Sequence, residues 1–232
     1  MSVNIIHAAQ NAGPDTGRLK VSVTSSLGLI PITDATVKIS YKGMPDSAIE
    51  TLSTDMSGQT EEISLPAPPL EYSLEPGSEQ PYSEYNIEVN APGYEPVMVS
   101  GTEILPESLA LQPIQMNPME IEQREEETIV IPDHTLYGEY PPKIPEDEIK
   151  PIDETGEIVL SRVVIPEYVV VHDGVPSDAS APNYYVKYKD YIKNVASSEI
   201  YATWPESAIY ANVLAIMSVT LNRVYTEWYR KR

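Results

Sequence analysis

Glu199 stands where a helix stripe would otherwise be apolar: Ile192, Val195, Ala196 and Glu199 follow the i, i+3, i+4, i+7 spacing that lines residues up on one helix face. A carboxyl group on an inward face loses hydration, which favours its protonated form and suits it to work as a general acid. The other reading of Glu199 is a helix-end glutamate paired with Lys193 or Arg223. Tyr201 and Trp204 follow the acid closely, and their rings could stack on sugars or serve as packing. Thr203-Trp204-Pro205-Glu206 reads as a capping box with Pro205 in the tolerated first turn. It would open an amphipathic helix over 204–229, with Ile209, Val213, Met217, Leu221, Val224 and Trp228 on its inner face.

Other routes to chemistry have little material. His7, His134 and His172 are the three histidines and lie in separate regions, so neither a histidine-rich metal site nor a serine triad is supported. His172-Asp173 before Gly174 reads as a strand-end turn rather than a catalytic dyad. There is no cysteine, which removes disulfides, thiolate ligands and cysteine nucleophiles. No glycine-rich phosphate loop occurs, and the acidic run 120–127 lacks the spacing of an EF-hand and reads as solvated charge. The expectation is a site with no metal and no cofactor.

The elements that would position Glu199 come late in the chain. Residues 1–16 read as a flexible leader without a basic start or apolar stretch, hence not a secretory signal. From residue 17 the pattern has period two: Leu19, Val21 and Val23, then Val37, Ile39 and Tyr41, Ile63 and Leu65, Tyr85, Ile87 and Val89, Val97 and Val99, Leu109 and Leu111. Turn signals separate the runs, so residues 17–115 are expected to form a small antiparallel β-sandwich. Residues 116–162 are rich in proline and acid and read as an extended linker open to a protease. Residues 163–232 turn to strand and then helix, with strand at 163–165 and 168–171 and helices around 189–200 and 204–229. The fold class expected is α+β: a sandwich, a linker and a helical C-terminal part.

Charge is split along the chain. Residues 161–232 hold eight basic and seven acidic residues, which leaves seven basic and 28 acidic in 1–160, for a net charge of −20. So acidic a front half repels nucleic acid and anionic membrane, neither of which is expected as a partner. No apolar run approaches the ~20 residues of a membrane span. Phenylalanine is absent while tyrosine numbers 16, so tyrosine must be the main aromatic of core and surface alike.

Two family resemblances sharpen these readings. Residues 31–39 (PITDATVKI), 54–60 (TDMSGQT) and 85–94 (YNIEVNAPGY) resemble the carboxypeptidase regulatory-like, transthyretin-like sandwich, whose modules usually position or adhere. The stretch 191–208 (YIKNVASSEIYATWPESA) resembles the start of the SpoIID-type lytic transglycosylase domain, roughly YxxGVVxxEMPxxFxxEALKAQAVAARTY. The wider wording of 165–207 is similar to clostridial spore cortex-lytic proteins of the SleC type. That resemblance implies cleavage of the MurNAc–GlcNAc bond of spore-cortex peptidoglycan, with Glu199 first protonating the leaving oxygen and then taking the C6 hydroxyl proton to give a 1,6-anhydro product. It also implies a location in the cortex or coat region of the spore, and activation by a protease at the linker. The chain departs from the family where its arginine falls on Met217 and where its downstream His and Tyr residues find no counterpart. The expectation is therefore the N-terminal part of a catalytic domain, inactive or very weak alone. A non-catalytic protein binding peptidoglycan or the spore surface is the alternative.

Overall fold

A computed structural model describes residues 15–74, 80–119, 127–133, 136, 164–174 and 178–225. The chain divides into two compact units, 1–134 and 135–232, each taken by itself below.

The alternating runs of the first unit become strands because each can bury one face. β1 (Asp15–Ser25), β2 (Thr36–Tyr41), β3 (Ala48–Ser53), β4 (Ile63–Ala67), β5 (Ser83–Asn90), β6 (Val97–Ile104), β7 (Leu109–Met116) and β8 (Glu127–Val130) assemble with one short helix, α1 (Glu71–Leu74). They make a three-stranded sheet ordered β4-β1-β7 and a five-stranded sheet ordered β3-β2-β5-β6-β8. Leu19, Val21, Val23, Val37, Ile39, Leu65, Tyr85, Ile87, Val89, Val97 and Val99 all join one core. The sandwich expected from period two is present. Its pairings are mostly antiparallel, but β1 runs parallel to β7 and β6 parallel to β8.

Tyr85 shows how a core without phenylalanine is completed. Its ring is fully buried, and its hydroxyl donates to the Pro66 carbonyl at 2.7 Å, so the polar tip is satisfied where burial would otherwise penalise it. Burial also pushes its hydroxyl pKa well above the ordinary tyrosine value.

The 54–60 motif is structural throughout. Thr54 Oγ1 accepts from the Ala35 N–H at 2.9 Å and donates to the Ile32 carbonyl at 2.7 Å. Asp55 Oδ1 accepts from the Ser57 N–H, the Ser57 hydroxyl and the Gln59 N–H, and these bonds hold its pKa below the usual carboxylate value. Gly58 sits at φ +72°, and a Cβ there would meet the Val23 carbonyl oxygen at 2.4 Å, so the turn closes on β1 only with glycine.

Three boundaries differ from the sequence reading. Asp15 and Thr16, assigned to the leader, already pair with β4. β3 carries no clean alternation, because its pairing with β2 shifts register between Ile39 and Ser40, so that Ile49 and Leu52, three positions apart, both pack on the core. β8 lies inside the stretch read as linker; its Thr128, Ile129 and Val130 are strand formers but exposed and too short a run to show an alternation, and pairing with β6 is what makes it a strand.

The second unit is a hairpin followed by two helices. β9 (Tyr168–His172) pairs antiparallel with β10 (Asn183–Lys187), and α2 (Tyr188–Glu199) and α3 (Glu206–Tyr225) follow. Val169, Tyr188, Ile192 and Ile216 form its buried centre, with Val195, Ala196, Val213, Met217, Leu221 and Val224 packed around them. Residues 164–166 are irregular rather than strand. On α3 the most buried positions are Ile216 and Thr220, one residue short of the expected Met217 and Leu221. A polar threonine is accommodated there because its hydroxyl donates back to the Ile216 carbonyl at 2.8 Å. Trp228 lies outside the described residues.

The expected capping box does not form. The Pro205 carbonyl accepts from the N–H groups of Ala208 and Ile209 at 2.8 and 3.1 Å, which makes Pro205 the cap and starts α3 at Glu206. Thr203 Oγ1 is buried without a hydrogen-bond partner among the described residues. Proline fixes the helical φ but moves the helix start two residues past the threonine, out of reach of its hydroxyl.

Candidate functional site

Glu199 closes α2, and the chain turns there into the corner that precedes α3. Ile200 leaves the helix in an extended conformation, with its N–H still donating to the Ala196 carbonyl. Of the stripe read from spacing, Ile192 is buried, Val195 and Ala196 are half-buried, and Glu199 is exposed. The shielding expected for the acid is therefore absent. The stripe points inward along most of its length, but its final residue reaches past the end of the packed helix face and into solvent.

A different interaction fixes the carboxylate. Asn212, two turns into α3, donates its Nδ2 hydrogen to Glu199 Oε2 at 2.7 Å. Neither cation named from sequence fills this role: Lys193 sits 4.0 Å from Asp190, and no ion pair joins Arg223 to Glu199 among the described residues. Asn212 Oδ1 is buried and has no hydrogen-bond partner among the described residues. The amide thus has one orientation-defining bond, to the glutamate. A carboxylate held this way keeps one oxygen bonded and offers the other to solvent.

Of the two aromatic residues, Tyr201 is 8% exposed and so serves as packing at the corner, with no face open to a sugar. Trp204 is half-buried and keeps part of its ring accessible. Their shared turn is closed by the Trp204 N–H donating to the Tyr201 carbonyl at 3.2 Å. The structure brings Glu199 and Trp204 to the same corner and withdraws Tyr201 from it.

Outside that corner the second unit shows exposed apolar side chains on α3: Tyr210, Leu214 and Val219. Tyr210 donates its hydroxyl to Glu206 one turn back. His172 Nδ1 lies 3.0 Å from Asn183 Oδ1 across the hairpin, and the Asp173 N–H donates to the Pro182 carbonyl, so this pair belongs to a strand end. Among the described residues no three metal-ligating side chains come together, and no helix is long and apolar enough to cross a membrane. The acidic run 120–126 lies outside the described residues.

One chemically rich cluster carries no sequence signal. Lys42, Glu84 and Asp133 meet in the first unit, the carboxylates standing 42 and 91 positions from the lysine, so only the folded sheet brings them together.

No family model and no curated protein matches the chain. Solved structures with some likeness include the minor pilin of Streptococcus agalactiae, at 16% identity and TM-score 0.33, covering 47% of this chain and 47% of that one. The Bacillus anthracis TIE protein is similar at 13% identity and TM-score 0.31, over 45% of this chain and 17% of its own. The 5-hydroxyisourate hydrolase of Klebsiella pneumoniae is similar at 13% identity and TM-score 0.28, over 44% of this chain and 92% of its own. The chain thus spans less than half the length of the first two. Likeness at this level says nothing of activity.

Proposed function

We propose that residues 164–225 belong to a lytic transglycosylase unit acting on spore-cortex peptidoglycan, with the sandwich as its positioning module. The observation behind this reading is the Glu199–Asn212 bond across the α2–α3 corner: it holds a solvent-accessible carboxylate in one orientation beside the partly open ring of Trp204. A single carboxyl group used first as acid and then as base needs that fixed orientation, and needs no second carboxylate at hydrolase spacing. In this scheme Glu199 protonates the leaving glycosidic oxygen and then removes the proton from the C6 hydroxyl, which closes the 1,6-anhydro ring. Trp204 stacks on a sugar ring, and Tyr201 keeps the corner rigid from within.

The exposure of Glu199 sets a condition on this function. General acid work near neutrality requires the carboxyl to be shielded, so apolar residues must close over the corner during turnover. The exposed Tyr210, Leu214 and Val219 of α3 are a surface on which such residues would pack. A protease acting in 116–162 would then separate sandwich from catalytic part, as proposed for activation.

The test is digestion of purified cortex peptidoglycan by the full chain, with product ends read by mass spectrometry. Anhydro ends support the reading. Reducing ends would mean water as the nucleophile and a different mechanism. Retention on the glycan without any product would favour the second reading, a non-catalytic peptidoglycan- or spore-surface-binding protein, for which the open position of Glu199 is the specific observation.

A further inference from the structure

Lys42 follows β2, Glu84 lies in β5, and these strands are neighbours in register, with Tyr41 opposite Tyr85. The Lys42 N–H donates to the Glu84 carbonyl at 3.2 Å, and the Lys42 carbonyl accepts from Asn86 Nδ2 at 3.4 Å. The lysine backbone is therefore fixed on both sides. Glu84 and Asn86 alternate with Tyr85 and Ile87, so they occupy the face of the sheet opposite the core, yet both are 5% exposed.

Asp133 arrives from the far side. In the sheet order β2-β5-β6-β8, a residue following β8 must pass over β6 to reach β5 and β2. It does so at Gly101, φ +91°, where a Cβ would lie 2.5 Å from the Ile131 carbonyl oxygen. The Ile131 N–H donates to the Ser100 carbonyl at 2.8 Å, and two residues later Asp133 Oδ1 stands 2.7 Å from Lys42 Nζ. Lys42 Nζ also donates to Glu84 Oε1. An amine, a carboxyl group and a second, buried carboxylate touching the same nitrogen are thus gathered from three separate parts of the chain.

We propose that Lys42 and Asp133 condense into a side-chain amide, an internal cross-link, with Glu84 carrying the proton. Moving one proton from the Lys42 ammonium to the Asp133 carboxylate gives a neutral amine and a carboxylic acid without changing the net charge of the trio. The amine lone pair attacks Asp133 Cγ and forms the C–N bond. Glu84 takes a proton from that nitrogen and returns it to the departing hydroxyl as the C–O bond breaks, so one water leaves and Glu84 ends as it began. No oxidant, reductant or activated co-reactant is required.

Two features favour the step. The reacting atoms are held in contact by the sheet, and such preorganisation corresponds to effective concentrations of about 10⁵ M or more. Burial, the largest influence on Glu84, raises its pKa and makes it a readier proton acceptor. Opposing them, the hydrogen bonds from Lys42 to the two carboxylates outweigh burial and keep its ammonium favoured, while hydrogen bonding to Lys42 lowers the pKa of Asp133. The reactive proton arrangement is the minor one, so the bond forms slowly after folding and then persists. Its effect is to tie the end of β8 to β2, anchoring the sandwich's last segment at the limit of the first unit.

The test is the intact mass of the full chain after purification and storage at neutral pH, with peptide mapping. The wild type is expected to lack the mass of one water and to yield a branched tryptic peptide joining Lys42 to Asp133, with no cleavage after Lys42. Asp133→Ala and Lys42→Arg should keep full mass, and Glu84→Gln should remain largely uncrosslinked. A wild type at full mass with free Lys42 and Asp133 would overturn the proposal. So would loss of water without the branched peptide, because a cyclised aspartate has the same mass. Cross-linking of Glu84→Gln at the wild-type rate would overturn the proton-carrier role.

Discussion

Thr203 separates two accounts of how the corner beside Glu199 is built. Were it the side-chain cap of α3, its removal would cost about 1 kcal/mol. The structure starts the helix at the Pro205 carbonyl and leaves Thr203 Oγ1 buried and unpaired among the described residues, and an isosteric apolar replacement of an unpaired buried group is close to neutral or stabilising. Thr203→Val is therefore expected to leave the melting temperature of residues 164–225 unchanged or slightly raised; a drop of several degrees would restore the capping box. Asn212 poses the complementary case. Its amide orients Glu199, so Asn212→Ala should lower turnover about tenfold, with little change in the retained affinity for glycan. Equal losses of turnover and affinity would mean a structural role only. Glu199 itself was visible in the sequence through the stripe it ends, whereas its exposure was not, because spacing shows which face a residue shares and not whether packing extends to the helix terminus. Asn212, a polar residue in an apolar helix thirteen positions away, gave no local sign of its partner.

At the level of elements, the interior strands were legible because burial of one face imposes period two on β1, β2, β5 and β6. β3 and β8 were not, since a register shift breaks the alternation of β3 and β8 is a short edge strand with all its side chains outward. Gly101 gives this a measurable consequence. Its positive φ and the 2.5 Å approach of the Ile131 carbonyl leave no room for a side chain, so Gly101→Ala should destabilise the sandwich by about 1 kcal/mol or more. It should also expose the amides of 127–131 to faster hydrogen exchange than those of β5. Unchanged protection of that segment would contradict the pairing of β8 with β6. The parallel course of β7 along β1 was equally hidden, because alternation is the same for both pairing directions.

For the whole molecule, the two units differ in how they are stabilised. Among the described residues the first has seventeen buried apolar residues in one core, whereas the second buries Val169, Tyr188, Ile192 and Ile216 and leaves Tyr210, Leu214 and Val219 exposed. Stability tracks apolar area removed from water, so thermal unfolding should show two transitions, with the helical signal of residues 188–225 lost first. A single transition common to helical and β signals would contradict independent units. The acid-rich composition of the front half was legible in the sequence, yet composition gave no hint that Lys42 and two of those acids gather at one point.

The most direct test of the central claim is the rate at which Glu199→Gln, in the full chain, releases anhydro-muropeptides from cortex peptidoglycan. Glutamine preserves the bond to Asn212 in shape but can neither give nor take the proton, so the account predicts a fall of about 10²–10⁴-fold with binding to the glycan retained. Release at the wild-type rate would contradict it.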